Sequence, residues 1–279
     1  MSKILILDGY NLIYRARYSG MNKGNNSTIF NFFRGVRPLV ERFNPDITYF
    51  VLEGRPTKRL EASPDYKGQR VYTDDDGFNR QRKHIISIIK EFIPFITVKH
   101  DDYECDDVIN FLATNKHSND ETIIVSSDTD FIQSISENTQ LYNPVKKDFI
   151  SQKDFNYVHW KALVGDKSDN IQGFKGIGDK RAQKLLLDKD MLNDFLIKED
   201  NQDKFNKNIF MIEFHDLTQD ADDIKTFKPD TFNWDRLRHI FNEYDFKSLV
   251  LKDKTWNKYT STFNKLQEGL QNVNWKSIR

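Results

Sequence analysis

The stretch YECDDVINFLATNKHSNDETIIVSSDTD, residues 103–130, decides the fold that this sequence predicts. Apolar residues recur at spacings of three and four from Cys105 to Leu112, which predicts an amphipathic helix. The run TIIVSS that follows is short and β-branched, and it predicts a buried strand. Acidic residues stand at the start of that helix and at the end of that strand: Glu104, Asp106, Asp107, Asp128 and Asp130. Three like charges within one helical turn repel each other by more than the helix dipole stabilises them, so something outside the helix must neutralise them.

Two upstream stretches repeat this pattern of a buried strand that ends in an acid. The run KILIL ends in Asp8, and the run ITYFVL ends in Glu53. One such acid is ordinarily a turn former or a helix N-cap. If the strands are parallel neighbours, however, all these acids meet at the edge of the sheet where α/β proteins bind their ligands. Residues 100–130 hold nine acidic residues and one lysine. Oxygen ligands with no Cys or His interleaved at zinc spacing select Mg²⁺ or Mn²⁺ over zinc.

The composition of the whole chain limits the classes of function. With 279 residues and a formal net charge of zero, any affinity for nucleic acid must come from segregated charge. One cysteine excludes a disulfide framework and fits a reducing cytoplasm, and we expect Cys105 to be a small core residue. The sequence has neither a signal peptide nor an apolar run long enough to span a membrane. We therefore expect a soluble intracellular protein.

Residues 55–90 reverse the charge balance, with nine Lys or Arg against five acidic residues. Two prolines, two glycines and few apolar residues before Phe92 predict a mobile, solvated excursion over the acidic edge. Composition alone is equally typical of a plain surface loop. A basic segment with aromatic residues beside a metal-binding site favours contact with a phosphate backbone.

The second part of the chain begins after a polar boundary at residues 143–155. A helix, VHWKALVG, is followed by DKSDN and by IQGFKGIGDKRAQKLLL, in which glycines form a turn between two helices. This is neither a dinucleotide fingerprint nor a P-loop. The turn either is structural or points backbone N–H groups at a phosphate. We expect a polar connector at residues 216–229 and an apolar stripe from Trp256 to Val273, which packs on its own lobe or meets a partner.

Together, these motifs resemble the 5′-nuclease (flap endonuclease) superfamily, which includes the 5′-nuclease domain of bacterial DNA polymerase I and phage 5′-exonucleases or ribonuclease H proteins. The match covers residues 3–187 and runs through ILDGYNLIYRA, VLEGRPTKR, YECDDVI, SSDTD and LVGDKSDNIQGFKGIGDKRAQKLL in the order of the family. The family usually has Asp where Glu53 stands, which leaves open whether this longer side chain binds metal directly or through water. The metal ligands that the resemblance implies are Asp8, Glu53, Glu104, Asp106, Asp107, Asp128, Asp130, Asp166 and Asp169.

The resemblance also implies an arch and a DNA-binding hairpin. The YKGQR segment resembles the helical arch beside the scissile phosphate, and it assigns catalytic roles to Tyr66, Lys67 and Arg70. The hairpin, at about residues 158–187, would bind the duplex backbone and possibly potassium through Gly173, Lys175, Gly176, Gly178, Lys180 and Arg181.

The resemblance implies a PIN-like α/β fold. A mainly parallel sheet flanked by helices would form residues 1–155, with an arch at about 55–92, and a helical lobe with a helix-hairpin-helix-type motif would form residues 156–279. Two Mg²⁺ ions, replaceable by Mn²⁺, would hydrolyse phosphodiester bonds while Lys67 and Arg70 neutralise charge developing on the phosphate. The expected partners are branched or nicked duplex DNA, RNA–DNA hybrids and a replication protein at the C-terminal tail, and we expect a monomer.

Three alternatives stay open at this point: a PIN-type ribonuclease, a junction resolvase and a binding protein for branched DNA that has lost catalysis. PIN ribonucleases usually lack the GFKGIG hairpin and the YKGQR arch, and both are present here. All nine expected carboxylates are present, which argues against a protein that only binds.

Overall fold

The computed structural model describes residues 1–19, 24–70, 76–198 and 201–272. Its strands are β1 (Lys3–Asp8), β2 (Ile47–Val51), β3 (Ile96–Lys99), β4 (Glu121–Val125), β5 (Thr139–Asn143), β6 (Asp148–Ile150), β7 (Gly165–Asp166), β8 (Ile171–Gln172) and β9 (Lys225–Phe227). Seven of them form one sheet in the order β6-β5-β4-β1-β2-β3-β9, and β7 and β8 form a small hairpin. The five central strands are parallel, and β6 and β9 are antiparallel edges. The prediction of a mainly parallel sheet is confirmed.

Helices surround this sheet and build a lobe beside it. They are α1 (Gly9–Arg17), α2 (Ser27–Phe43), α3 (Thr57–Ala62), α4 (Asp76–Phe92), α5 (Cys105–Phe111), α6 (Tyr157–Val164), α7 (Asp179–Leu187), α8 (Lys189–Leu196), α9 (Asn201–Ile212), α10 (Trp234–Glu243), α11 (Lys247–Val250), α12 (Asp253–Ser261) and α13 (Asn264–Asn272). In the described residues, no helix combines the length and the apolar character that crossing a membrane requires.

The central strands are mainly apolar because helices cover both faces of the sheet. Leu7 of β1 lies opposite Phe50 of β2 on one side and Val125 of β4 on the other. This register brings the carboxyl ends of three strands level with one another. The acids that follow these strands therefore reach the same edge, as the sequence predicted.

Three apolar cores hold the fold together. One packs α1, α2 and α4 against one face of the sheet, and a second packs α5 against the other face. The third lies inside a helical lobe formed by α6, α7, α8 and α9, and Tyr66 of the predicted arch joins it. The segment around Tyr66 is thus attached to the helical lobe by apolar packing.

The C-terminal part only partly follows the sequence prediction. The expected polar connector at residues 216–229 contains β9, which extends the main sheet by pairing with β3. The apolar stripe of α12 and α13 packs mainly on the α/β core, with Trp256, Tyr259 and Phe263 buried beside α2 and α10. The stripe therefore packs on α10 of its own C-terminal part, as one of the two predictions had it, and also on the α/β core. Its described part is not exposed to a partner. Val273 lies outside the described residues, and the boundary at residue 155 stays a prediction.

Candidate active site

A cavity of about 1050 Å³ opens at the carboxyl edge of the sheet, between the sheet and the helical lobe. Eight of the nine predicted metal ligands line it: Asp8, Glu53, Glu104, Asp106, Asp128, Asp130, Asp166 and Asp169. Tyr66, Lys67 and Arg70 of the predicted arch also line it. The structure thus gathers acids that are up to 161 residues apart in sequence, since Asp8 and Asp169 face one cavity.

Four of these acids form no salt bridge within the described chain, and we call them the unpaired acids: Asp8, Glu53, Asp106 and Asp128. Asp8 ends β1, where it accepts hydrogen bonds from Ser126 Oγ at 2.7 Å and from the Asn11 backbone N–H at 3.1 Å. Asp106 lies in the first turn of α5 and accepts a hydrogen bond from Cys105 Sγ at 3.2 Å. Hydroxyl, amide and thiol donors orient these carboxylates but bring no positive charge.

Burial and mutual repulsion raise the pKa of three of the unpaired acids, Asp8, Glu53 and Asp106. Burial raises the pKa of Asp8 to about 6, although hydrogen bonds from Ser126 and Asn11 oppose the shift. Burial and the nearby Glu104 carboxylate raise the pKa of Glu53 to about 7. The pKa of Asp106 is raised well above its usual value by burial and by Asp8 and Asp128. This part of the cavity is therefore poised to accept a cation.

The other four acids of the cavity are each held by a lysine or arginine, and we call them the paired acids: Glu104, Asp130, Asp166 and Asp169. Lys161 of α6 forms ion pairs with Asp130 and, at 2.6 Å, with Asp166. Burial alone would raise the pKa of Asp166, but hydrogen bonds from Lys161 and Ser168 bring it below its usual value. Tyr157 Oη also donates to Asp130 at 3.0 Å.

The YKGQR segment lies across the cavity and is fastened to the paired acids. Lys67 Nζ forms an ion pair with Glu104 and lies 3.8 Å from Asp169. Arg70 Nη2 contacts Asp169 Oδ1 at 2.6 Å, and the Tyr66 hydroxyl lies within 3.1 Å of both Glu104 and Asp169. Lys67 has a backbone φ of 55°, a conformation that costs a residue other than glycine about 1–3 kcal/mol. Hydrogen bonds and ion pairs hold this strained turn over the acids.

Asp107 is a correction to the predicted ligand set, because it does not face the cavity. It is 0% exposed, and Arg59 of α3 binds both its carboxylate oxygens, at 2.7 and 2.8 Å. The backbone N–H groups of Glu104 and His215 donate to it as well. The Glu104 contact belongs to a capping box at the start of α5. Asp107 is therefore saturated with donors and joins α3, α5 and the end of the helical lobe.

The start of the basic segment is also not the solvated excursion that the sequence predicted. Arg59 is 3% exposed, and it donates to Glu104 and to the backbone oxygens of Met211 and Glu213. Its charge is buried because four acceptors satisfy it, which composition cannot reveal. Residues 71–75 of the predicted arch lie outside the described residues, and α4 beyond them packs in the core through Phe78, Ile85 and Phe92.

Two functional residues were missed at the sequence level. Arg59 lies in a short polar segment without a recognisable pattern, so no signal marked it. Lys161 is the only lysine in the mainly apolar helix YVHWKALV, and a lone lysine five residues before Asp166 was a usable signal.

The glycine-rich hairpin lies outside the cavity, on the surface of the helical lobe. Phe174 and Ile177 anchor it in the lobe core, and the side chains of Lys175, Lys180 and Arg181 are exposed. A Cβ on Gly173 would lie 2.0 Å from the Val164 oxygen, and Gly176 has a φ of 76°. Gly178 precedes α7 without a side-chain cap. The structure therefore explains Gly173 and Gly176 by close packing and backbone conformation.

The donor set of the cavity fits hard divalent cations, because every anionic ligand in it is a carboxylate. The raised pKa values of Asp8, Glu53 and Asp106 indicate negative charge that the protein does not neutralise. As they stand, no three His, Cys, Asp or Glu side chains of the described residues are arranged to hold an ion together. Lys161 lies between the carboxylates of Asp130 and Asp166, so these two predicted ligands are arranged around its ammonium group.

Comparison with known proteins decides the family. The sequence model of the 5′-3′ exonuclease, N-terminal resolvase-like domain, matches residues 3–161. The chain belongs to this family. A 5′-3′ exonuclease of Mycoplasmopsis pulmonis is 30% identical over 200 residues, which are 66% of this chain and 66% of that protein. The resemblance drawn from the motifs is confirmed.

Two further relatives place the chain among longer and structurally known proteins. DNA polymerase I of Lactococcus lactis is 30% identical over 213 residues, which cover 66% of this chain but 24% of the polymerase. The match thus spans about a quarter of that relative. The bacteriophage T5 flap endonuclease, in a pseudo-enzyme–product complex with DNA and metal ions, has a TM-score of 0.65 at 18% identity, covering 97% of this chain and 100% of that one. This likeness shows the fold.

Proposed function

We propose that the chain is a divalent-metal-dependent, structure-specific nuclease that hydrolyses phosphodiester bonds at 5′ flaps and 5′ ends of DNA and RNA–DNA duplexes. The observation that carries the proposal is the cavity itself, where unpaired acids face the basic YKGQR segment. Family membership supports the reaction class, and the T5 flap endonuclease with the same fold was crystallised with DNA and metal ions. Bound Mg²⁺ or Mn²⁺ would supply Lewis acidity and a water of lowered pKa.

The acids of the cavity and Lys67 would have different roles in this reaction. The unpaired acids would hold the ions beside the scissile phosphate, and Asp130, Asp166 and Asp169 would complete the ligand set when Lys161 and Arg70 release them. Lys67 would face the phosphate and neutralise the charge that develops as the bond breaks. The products would be a 5′-phosphate and a 3′-hydroxyl.

The hairpin would hold the duplex while the cavity cuts it. The side chains of Lys175, Lys180 and Arg181 are exposed in the hairpin and at the start of α7, where phosphate contacts would carry no sequence information. The backbone groups of Gly173, Gly176 and Gly178 would bind phosphate, and potassium would bind there too. The chain would act as a monomer on replication intermediates in the cytoplasm of a bacterial or phage-infected cell. A replication protein could contact it only through surfaces other than the buried apolar stripe.

A panel of substrates tests this proposal. A 5′-labelled flap, a nicked duplex, an RNA–DNA hybrid, a Holliday junction and a single-stranded RNA are each incubated with Mg²⁺ and with chelator. We expect cleavage of the first three with Mg²⁺ and none with chelator. Preferred cleavage of the Holliday junction would favour a resolvase, and cleavage of single-stranded RNA alone a PIN-type ribonuclease. Tight binding of branched DNA without any cleavage would identify a protein that only binds.

The role of Lys67 is tested by single-turnover kinetics on the flap substrate. Removing one electrostatic contact to a transition state costs about 10²–10³ in rate, so Lys67→Ala should lose that much. Lys167→Ala is the matched control, because Lys167 also lines the cavity but forms no ion pair in the described chain. A loss of substrate affinity with an unchanged single-turnover rate would reduce YKGQR to a phosphate-contacting loop.

A further inference from the structure

A second cavity, of about 950 Å³, lies on the other side of α1 from the acidic cavity. Its walls are α1, α2 and the turn at residues 143–147 that follows β5. Asn11 and Tyr14 line both cavities. A chain-like ligand that leaves the acidic cavity along α1 therefore enters this second cavity directly.

The charge of the second cavity is opposite to that of the first. Four cationic side chains line it, Arg15, Arg34, Arg42 and Lys147, and we call it the arginine groove. Among the described residues that line it there is no Asp or Glu. The chain as a whole has 42 basic and 42 acidic residues, so this local excess is a segregation of charge that attracts an anion.

The floor of the groove is apolar and aromatic. Its apolar lining consists of Leu12, Ala16, Phe32, Val36, Pro38, Leu39, Pro144 and Val145. Tyr18 stands at the rim with 77% of its surface exposed, and Tyr142 forms part of the wall beneath the Arg42 guanidinium, 4.7 Å from its ring centroid. A simple anion or an acidic peptide has no need of such a floor. Bases stack on aromatic and apolar surfaces while their phosphates contact cations.

One buried polar group in the groove also lacks a partner. Asn31 is 2% exposed, and its Nδ2 donates to the backbone oxygens of Ala16 and Ser19. Its Oδ1 accepts no hydrogen bond from the described residues. A buried acceptor without a donor is costly, and the exocyclic amino or ring N–H group of a nucleobase would satisfy it.

We propose that the arginine groove binds a short single-stranded segment of the nucleic acid whose scissile phosphate lies in the acidic cavity. The proposal rests on the proposed nuclease function for its substrate, and on the charge and lining of the groove for its location. The unpaired acids repel a phosphate backbone, and an adjacent run of arginines compensates for that repulsion along the path of the strand. The groove would thus hold the nucleotides beside the cut and fix their distance from the acids.

The test uses binding without catalysis. A fluorescein-labelled oligothymidylate of about 12 nucleotides is titrated with protein in chelator at several salt concentrations, and anisotropy is measured. The groove variant is Arg15→Gln/Arg34→Gln/Arg42→Gln. Its control is Lys252→Gln/Lys254→Gln/Lys258→Gln, which removes the same charge from exposed positions in and beside α12.

We expect the groove variant to bind the oligonucleotide at least about tenfold more weakly, with a salt slope shallower by about two units for three lost phosphate contacts. The control should stay within about twofold of the unmodified protein, since its lysines lie on α12 and outside the groove. Equal losses of affinity in both variants would mean that the oligonucleotide responds to the overall charge of the protein and not to the groove. That result would overturn the inference. The inference would also be overturned if binding of an acidic oligoglutamate peptide depended on the arginines while binding of the oligonucleotide did not.

Two further measurements keep the outcome unambiguous. If the triple variant fails to fold, judged by circular dichroism, Arg34→Glu serves instead, because Arg34 is exposed and its reversal should still weaken binding about threefold or more. Cleavage of the flap by the unmodified protein is measured separately with Mg²⁺. Absence of cleavage would refute the proposed function, whereas unchanged oligonucleotide affinity in the groove variants would refute this inference even if the flap is cut.

Discussion

The unpaired and the paired acids line one cavity, yet the protein treats them in opposite ways. Asp8, Glu53, Asp106 and Asp128 receive only neutral donors, and burial raises the pKa of the first three. The paired acids are each bound by Lys or Arg. Hydrogen bonds from Lys161 and Ser168 lower the pKa of Asp166 despite its burial, whereas burial and the Asp128 carboxylate raise the pKa of Asp130 in spite of Lys161. The unpaired acids therefore require a cation from outside the protein. The paired acids already contact Lys or Arg side chains, which a ligand must displace.

The largest expected effect comes from removing an unpaired acid. Asp106→Asn and Asp128→Asn should each reduce cleavage by at least about 10³-fold, because several kcal/mol of transition-state stabilisation depend on the bound ion. The metal-free proteins should not lose melting temperature, since each change removes a carboxylate that the neighbouring acids of the cavity repel. Single-turnover cleavage and thermal melting in chelator measure the two quantities. Full activity, or a marked fall in melting temperature, would remove the distinction between the two groups.

The neighbouring residue should behave in the opposite way. Arg59→Met leaves Asp107 and Glu104 without their buried partner, and Asp107→Asn leaves the Arg59 charge under-compensated. Breaking a buried pair from one side costs about 3–5 kcal/mol, and urea unfolding should show this loss. Lys58→Met is the control, because Lys58 is half exposed and its ion pair with Asp220 is worth about 1 kcal/mol or less. Equal stability of Arg59→Met and Lys58→Met would show that α3 is not held by this cluster.

A smaller effect is expected where an internal cation is removed. Lys161→Met takes away the ammonium group between Asp130 and Asp166, so the cavity becomes more negative. Calorimetric titration with Ca²⁺ should show affinity for a divalent ion rising by about tenfold, or roughly 1.4 kcal/mol. Lys167→Met serves as the reference at the rim of the cavity. A weaker affinity in Lys161→Met would mean that this lysine organises the ligands instead of competing with the ion.

The smallest effect is a dependence of stability on pH in the absence of metal. The folded protein holds protons on Asp8 up to about pH 6 and on Glu53 up to about pH 7, whereas the unfolded chain releases them near pH 4. Because the folded state binds more protons in this window, the free energy of unfolding falls as the pH rises through it.

Thermal melting in chelator checks this dependence. Melting temperature should be lower at pH 8 than at pH 5 by roughly 5 °C, and Asp8→Asn should flatten the profile. The lowered pKa of Asp166 lies below this window and the raised pKa of Lys161 above it, so neither of these paired groups contributes to the slope. A stability that rises steadily from pH 5 to pH 8 would contradict the assignment of the unpaired acids.

The acidic edge of the sheet was predictable because each strand and the acid that follows it are close together in the sequence. Apolar runs that end in Asp8, Glu53 and Asp128 needed only the rule that parallel strands end together, and the pairing of β1 with β2 and β4 confirms it. The family also followed from short motifs in a fixed order. These features depend on residues close together in sequence.

The pairing of charges was not predictable in the same way. Asp106 and Asp107 are adjacent and identical, but successive helical residues point about 100° apart, so one faces the cavity and the other faces Arg59. Arg59 is 48 residues upstream of Asp107, and no spacing rule connects the two. The same holds for β9, whose residues Lys225–Phe227 are exposed and lack a strand pattern. Their position depends on tertiary contacts with β3.

The central claim, that the unpaired acids take the metal, is tested most directly by counting bound Mn²⁺ with electron paramagnetic resonance at neutral pH. The unmodified protein, Asp106→Asn and Lys161→Met are titrated in parallel. We expect that the unmodified protein binds Mn²⁺, that Asp106→Asn loses the tightest ion and that Lys161→Met loses none. If Asp106→Asn binds Mn²⁺ as tightly as the unmodified protein while Lys161→Met does not, the metal is held by the paired acids and not by the unpaired ones.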